Sequence, residues 1–270
     1  MAFKRRSTKK RVFKKRSFKR KSSRRPSVAV KKMVRREIAR NVETKHRQSD
    51  ILDAPFYYPA QGALYDSANT LAISPSSTNL AIVQGTSDGT RIGNKIKLKK
   101  LTFKGIWVAN GYSAAANPIP EPMQVKLVLF YDKTAPTAIP APRSDYFQFN
   151  STVLPFQGDL TDLLGPANAD KYRVLATKTF KLGFQQYFGT GNQPNQQQFS
   201  NNDFKLNKNI IWDVTKYCVS DIRYNDNSPT PTTRGLFMQV IVSPAGGQVG
   251  SAGVVPCSAQ WWTEAAYEDA

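Results

Sequence analysis

The chain has 270 residues, with 39 Lys and Arg against 19 Asp and Glu, one histidine and two cysteines, for a formal net charge of +20. This composition excludes a disulfide framework, a cysteine-only zinc site and a catalytic centre built from several histidines. No run of about eighteen apolar residues offers a membrane-spanning helix. The charge is concentrated at one end. Residues 1–50 carry 21 basic and 3 acidic side chains, net +18, and residues 51–270 carry 18 and 16, net +2. The sequence therefore divides into a basic arm, 1–50, and a nearly neutral body, 51–270, long enough to bury one large core.

In the arm, residues 4–25 hold fourteen Lys or Arg and no acid. Self-repulsion and a shortage of apolar side chains predict disorder over residues 1–26. Set against a polyphosphate, the same block neutralises backbone charge and releases counterions without reading any base. Phe3, Phe13 and Phe18 interrupt it and are available to stack on unpaired bases. The basic start lacks the apolar stretch of a secretory signal. From Ser27 to about His46 the pattern turns helical: Val30, Val34, Ile38 and Val42 recur every four residues, with Met33 on the same side, and Pro26-Ser27 suits a helix start. Three placements compete for this helix: against the body's inner surface, ordered only by nucleic acid, or on a membrane surface.

The body reads as strands. In 95–109, Ile96 and Leu98 share one parity and Leu101, Phe103 and Trp107 the other, a slip that a β-bulge supplies. Arg91, Lys95, Lys97, Lys99, Lys100 and Lys104 make this the most basic part of the body. Residues 123–131 are apolar on both faces. Further strands are predicted over 171–184, 204–219, 235–243 and 257–267, and a helical turn over Asp159–Leu164. Gly-, Pro-, Asn- and Ser-rich stretches between them read as long loops. Strands with long loops and almost no helix predict a β-sandwich or barrel. In the last strand the adjacent Trp261 and Trp262 must point to opposite faces, which sends one ring under a loop or into an interface.

Enzyme chemistry has no foothold. There is no dinucleotide glycine motif, P-loop, HExxH or GxSxG, and Asp159 with Asp162 reads as a turn-capping pair. No cofactor and no metal is expected. Whether Cys218 and Cys257 meet is open at this level.

The basic arm followed by Gly89-Thr90-Arg91-Ile92-Gly93-Asn94-Lys95-Ile96 and Lys97-Leu98-Lys99-Lys100-Leu101-Thr102-Phe103-Lys104-Gly105 resembles the capsid proteins of small circular single-stranded DNA viruses, the Rep-encoding circo-like group. Trp261-Trp262-Thr263-Glu264-Ala265-Ala266-Tyr267-Glu268-Asp269 is similar to that family's final strand and acidic tail. The resemblance implies an all-β, single eight-stranded jelly roll with a basic N-terminal arm, sixty copies of which form an icosahedral T=1 virion shell around a circular ssDNA genome. It also implies import into the host nucleus for assembly and entry through a host cell-surface receptor. The expected nucleic-acid contacts are Lys4, Arg5, Arg6, Lys9, Lys10, Arg11, Lys14, Lys15, Arg16, Lys19, Arg20, Lys21, Arg24 and Arg25 in the arm, with Arg91, Lys95, Lys97, Lys99 and Lys100 in the body. Lys14, Lys15, Arg16, Lys19, Arg20 and Lys21 double as the nuclear-import address. A monomeric or small-oligomer single-strand-binding protein shares the arm, and the coat of a small RNA virus shares arm and fold alike.

Overall fold

A computed structural model describes residues 27–41, 43–58, 69–76, 79–118, 120–133, 160–184, 205–247 and 253–270. The chain forms two units, Met1–Val42 and Glu43–Ala270. In the first, helix α1 spans Val28–Asn41. Ser27 starts it: its carbonyl accepts the N–H of Lys31 at 3.0 Å and its Oγ accepts the N–H of Val30 at 3.3 Å. This is the side-chain cap that an orphaned first-turn amide requires. Val28, Val30, Met33 and Val34 are exposed.

The helix stops five residues short of the expected end at His46. Lys45–Gln48 instead form strand β1, paired antiparallel with the last strand of the body. Tertiary pairing overrides the local helical pattern here. Lys45 is buried, donates from Nζ to the carbonyl of Thr90 at 2.9 Å and pairs with Asp269 at 2.8 Å. Placing the division at 42 leaves the charge segregation intact: residues 1–42 hold 19 basic and 1 acidic side chains, net +18, and residues 43–270 hold 20 and 18, net +2.

The body contains β2 Leu52–Phe56, β3 Thr70–Ala72, β4 Lys95–Ala109, β5 Met123–Asp132, β6 Tyr172–Leu182, β7 Asn207–Asp213, β8 Asp221–Arg223, β9 Phe237–Pro244 and β10 Cys257–Asp269. They build two sheets. In one, β10 and β4 lie at the centre, β1 and β2 both pair with β10, and β7 and β8 both pair with β4. In the other the order is β3-β9-β5-β6. Every ladder is antiparallel, and successive strands pass repeatedly between the sheets, a jelly-roll-like arrangement. Helical structure in this unit includes the 3-10 turns Leu160–Leu163 and Thr215–Tyr217.

The alternation of apolar side chains fixes which face of each strand turns inward. Ile96 and Leu98, then Leu101, Phe103 and Trp107, are all buried. The parity change falls where the register with β10 passes from Leu98↔Tyr267 to Lys100↔Ala266, leaving Lys99 as the extra residue of a bulge. Phe103 and Trp261 stack with centroids 5.9 Å apart, and Trp107 meets Phe180 of the opposite sheet edge-on at 5.7 Å. The other parity of β5 is also covered. Val128 and Phe130 join Leu163, Tyr172, Phe237 and Ile241 in a second cluster on the far side of that sheet. The predicted strand over 204–219 resolves into β7 and the turn, with β8 following beyond it, because Val214 donates to the carbonyl of Leu101 and bends the chain there.

Trp261 belongs to the core, whereas Trp262 is half-buried on the outer face, where its Nε1 donates to Glu264 at 3.2 Å. Both cysteines are free. Cys257 is fully buried, and burial raises both thiols, that of Cys218 to about 12. Gly105 lies opposite Trp261, and a Cβ there would stand 2.5 Å from Cζ3 of Trp107. Its bare backbone is what lets the indole lie flat against β4. Gly105→Ala is expected to lower the unfolding free energy by about 1–3 kcal/mol through this overpacking, read by urea denaturation.

Candidate nucleic-acid interface

The body residues expected to meet phosphate lie on β4 and on the loop before it. Strand alternation sets Lys97, Lys104 and, beside the bulge, Lys99 and Lys100 on the outer face of the β4–β10 sheet. That face is not a positive field. Lys99 pairs with Glu268 at 2.7 Å, Lys104 with Glu264 at 2.6 Å and Lys95 with Asp221 at 3.5 Å. Lys97 lies opposite Glu268 on one side and Asp221 on the other. Lys100 helps to hold the carboxylates of Asp213 and Glu264 in their charged form. Five lysines of β4 therefore face four carboxylates drawn from β10, β7 and β8. Pairs this exposed contribute about 0–1 kcal/mol each, but together they cancel the stripe's charge.

The acids are supplied by neighbouring strands. Glu264 and Glu268 were readable in the sequence as an acidic ending; in the fold they share one face of β10, Glu268 opposite Lys97 and Glu264 opposite Thr102, within reach of Lys99 and Lys104 respectively. Antiparallel pairing of a basic strand with an acidic one is the signal that a reading of β4 alone misses.

Arg91 is a correction of a different kind. It is fully buried and does not present a guanidinium to solvent. Nη1 donates to the carbonyl of Gly93 and to Oδ1 of Asn94, and Nη2 donates to the carbonyls of Asn225 and Ser228 at 3.3 and 2.9 Å. The guanidinium also lies over the ring of Tyr224, 4.4 Å from its centroid. Arg91 ties the loop before β4 to the loop after β8. Arm residues Lys4, Arg5, Arg6, Lys9, Lys10, Arg11, Lys14, Lys15, Arg16, Lys19, Arg20, Lys21, Arg24 and Arg25 lie outside the described residues, as do Phe3, Phe13, Phe18 and Asp159.

Among the described residues no group of three or more His, Cys, Asp or Glu is placed to hold a metal, and no helix is long and apolar enough to cross a membrane. His46 is an exposed β1 residue opposite Ala266. Comparison with protein families and with curated proteins finds no match. Among solved structures, that of the parvovirus (densovirus) from Galleria mellonella is weakly similar. The identity is 10%, the match covers 85% of this chain and 87% of that one, and the TM-score is 0.29.

Two outcomes follow from this geometry. Arg91→Ala strands several buried carbonyls, so it is expected to cost about 3 kcal/mol or more in urea unfolding. The salt dependence of single-strand binding, followed by anisotropy, should remain unchanged. The second concerns acid. Donation from Lys104 Nζ holds the Glu264 carboxyl below its usual range, and the hydroxyl of Thr215 does the same for Asp213. Groups lowered on folding stabilise the fold above their unfolded values and lose that contribution as pH falls through the folded ones. Thermal stability is therefore expected to decline on acidification below the ordinary carboxylate range, and Glu264→Gln to flatten the decline.

Proposed function

We propose that this chain is a structural coat protein that assembles into a closed icosahedral shell of sixty copies and packages circular ssDNA through its basic arm. The observation that carries this reading is the segregation of charge: net +18 in residues 1–42, net +2 in the two-sheet body that follows. A body that cancels its own surface charge leaves the cargo to the arm and its own faces to subunit contacts. The strand order supports the same reading. With β1 and β2 counted as one interrupted strand and β7 and β8 as another, the sheets are four strands each, in the order of an eight-stranded jelly roll. Closed symmetric assemblies need several interfaces per subunit, and long loops between short ladders offer them.

The magnitudes agree. Sixty arms at +18 bring about 1,080 positive charges, on the order of half or more of the phosphates in a genome of roughly 1–2 kilobases. Contacts of this kind are made to phosphate and carry no sequence information. In this reading Lys14, Lys15, Arg16, Lys19, Arg20 and Lys21 also direct import into the host nucleus, where assembly occurs, and the mature protein resides in the virion. A host cell-surface receptor engages the exterior.

Negative-stain microscopy of the purified protein, with nuclease typing of any contents, tests the proposal. Uniform closed particles holding DNase-sensitive circular DNA are expected. A monomer or small oligomer would overturn the shell, and RNase-sensitive contents would overturn the cargo. Deleting residues 1–25 should leave the body folded and abolish packaging; full-length genome inside truncated particles would contradict the role of the arm.

A further inference from the structure

The two sheets end side by side along one margin of the sandwich. There, among the described residues, β6 pairs with β5 and β7 with β4, and no further strand lies on their outer edges. Between these edges runs a groove of about 310 Å³, lined by Lys178, Thr179 and Phe180 of β6 and by Lys208, Asn209 and Ile211 of β7. Lys178 shares its parity with the buried Phe180 and Leu182. Lys208 shares its own with the buried Ile210 and Trp212 and lies opposite Trp107. Both lysines therefore stand on the gap-facing side of their strands, one from each wall, Lys178 half-buried and Lys208 exposed at the margin.

Among the described residues no carboxylate lines the groove. Lys178 is half-buried, with its ammonium 4.7 Å from the centroid of the Trp212 ring, a partner that leaves its charge uncompensated. Lys205, at the entrance to β7, adds an exposed basic side chain nearby. Two like charges on facing walls of one groove repel each other unless an anion lies between them. This contrasts with the outer face of β4, where every lysine stripe has its acidic counterpart. Thr179 and Asn209 add neutral polar groups. Ile211, 72% exposed, adds an apolar lip.

We infer that this groove is a second nucleic-acid contact on the body, separate from the arm, which takes the phosphodiester backbone of a single strand. The ammonium groups of Lys178 and Lys208 meet phosphate oxygens, while Ile211 and the edge of Phe180 receive sugar or base. The apolar lip favours a nucleic acid over a sulfated polysaccharide, which offers oxyanions but no apolar face. The inference shares with the proposed function only the premise that nucleic acid is the cargo.

The test is anisotropy of a labelled oligothymidylate with the full-length protein across a sodium chloride series, comparing wild type with Lys178→Gln/Lys208→Gln. Each lost phosphate contact on a single strand removes about 0.7 from the log–log salt slope, so the double variant should lose about 1.4. Lys208→Gln alone, at an exposed position that leaves the core intact, should lose about 0.7, and Lys178→Arg/Lys208→Arg should restore the wild-type slope. A wild-type slope in the glutamine variants overturns the groove and leaves the arm reading untouched. Conversely, a full-length slope of only about 1.4 that vanishes in the double variant supports the groove and overturns the arm. Reduced retention on heparin with an unchanged oligothymidylate slope assigns the groove to a sulfated polysaccharide and overturns the inference.

Discussion

The ladder between β4 and β10 is the constraint on which the rest of the body depends. It runs from Cys257 to Asp269 and does different work on its two faces. Inside, Gly105 makes room for Trp107 while Trp261 stacks on Phe103, so the thickest part of the core is set by two neighbouring strands. Outside, the same registration brings Glu264 and Glu268 against the lysines of β4. A slip of one residue would turn one strand's aromatic rings outward and its charged side chains toward the core. Core packing and surface neutrality are therefore one choice of register, and the bulge at Lys99 lets both be satisfied along fifteen residues of β4.

Much of this was legible because long strands announce themselves. The parity change after Leu98 located the bulge, and the doubly apolar MQVKLVLFY stretch foretold that β5 is covered on both faces. The opposite fates of Trp261 and Trp262 followed from alternation alone. The short strands were not legible. β1 lies inside a basic, helix-like run, β2 contains a proline, and β3 is only three residues long. Each exists because a longer neighbour offers it a bare edge, a reason that no local pattern carries.

The candidate site was read less well, for a related reason. Arg91 looked like one more cation in a basic stretch, but its Nη2 is held by carbonyls more than a hundred residues later in the chain. The lysines of β4 looked free because their carboxylates lie on β10 and β8. Lys178 and Lys208 carried no signal at all, since neither belongs to a run of basic residues. Only the meeting of two sheet margins puts them in one groove.

The junction at Lys45 has a mechanical side. Its ammonium holds Asp269 and the Thr90 carbonyl, and the four residues of β1 lie along the end of β10. A pull on the chain ahead of residue 43 would thus be received by the longest ladder in the molecule instead of by a loose loop. The buried ion pair takes the load first, and the hydrogen bonds behind it share the remainder. A tether anchored in this way can be tugged by whatever it holds without unravelling the sheet behind it.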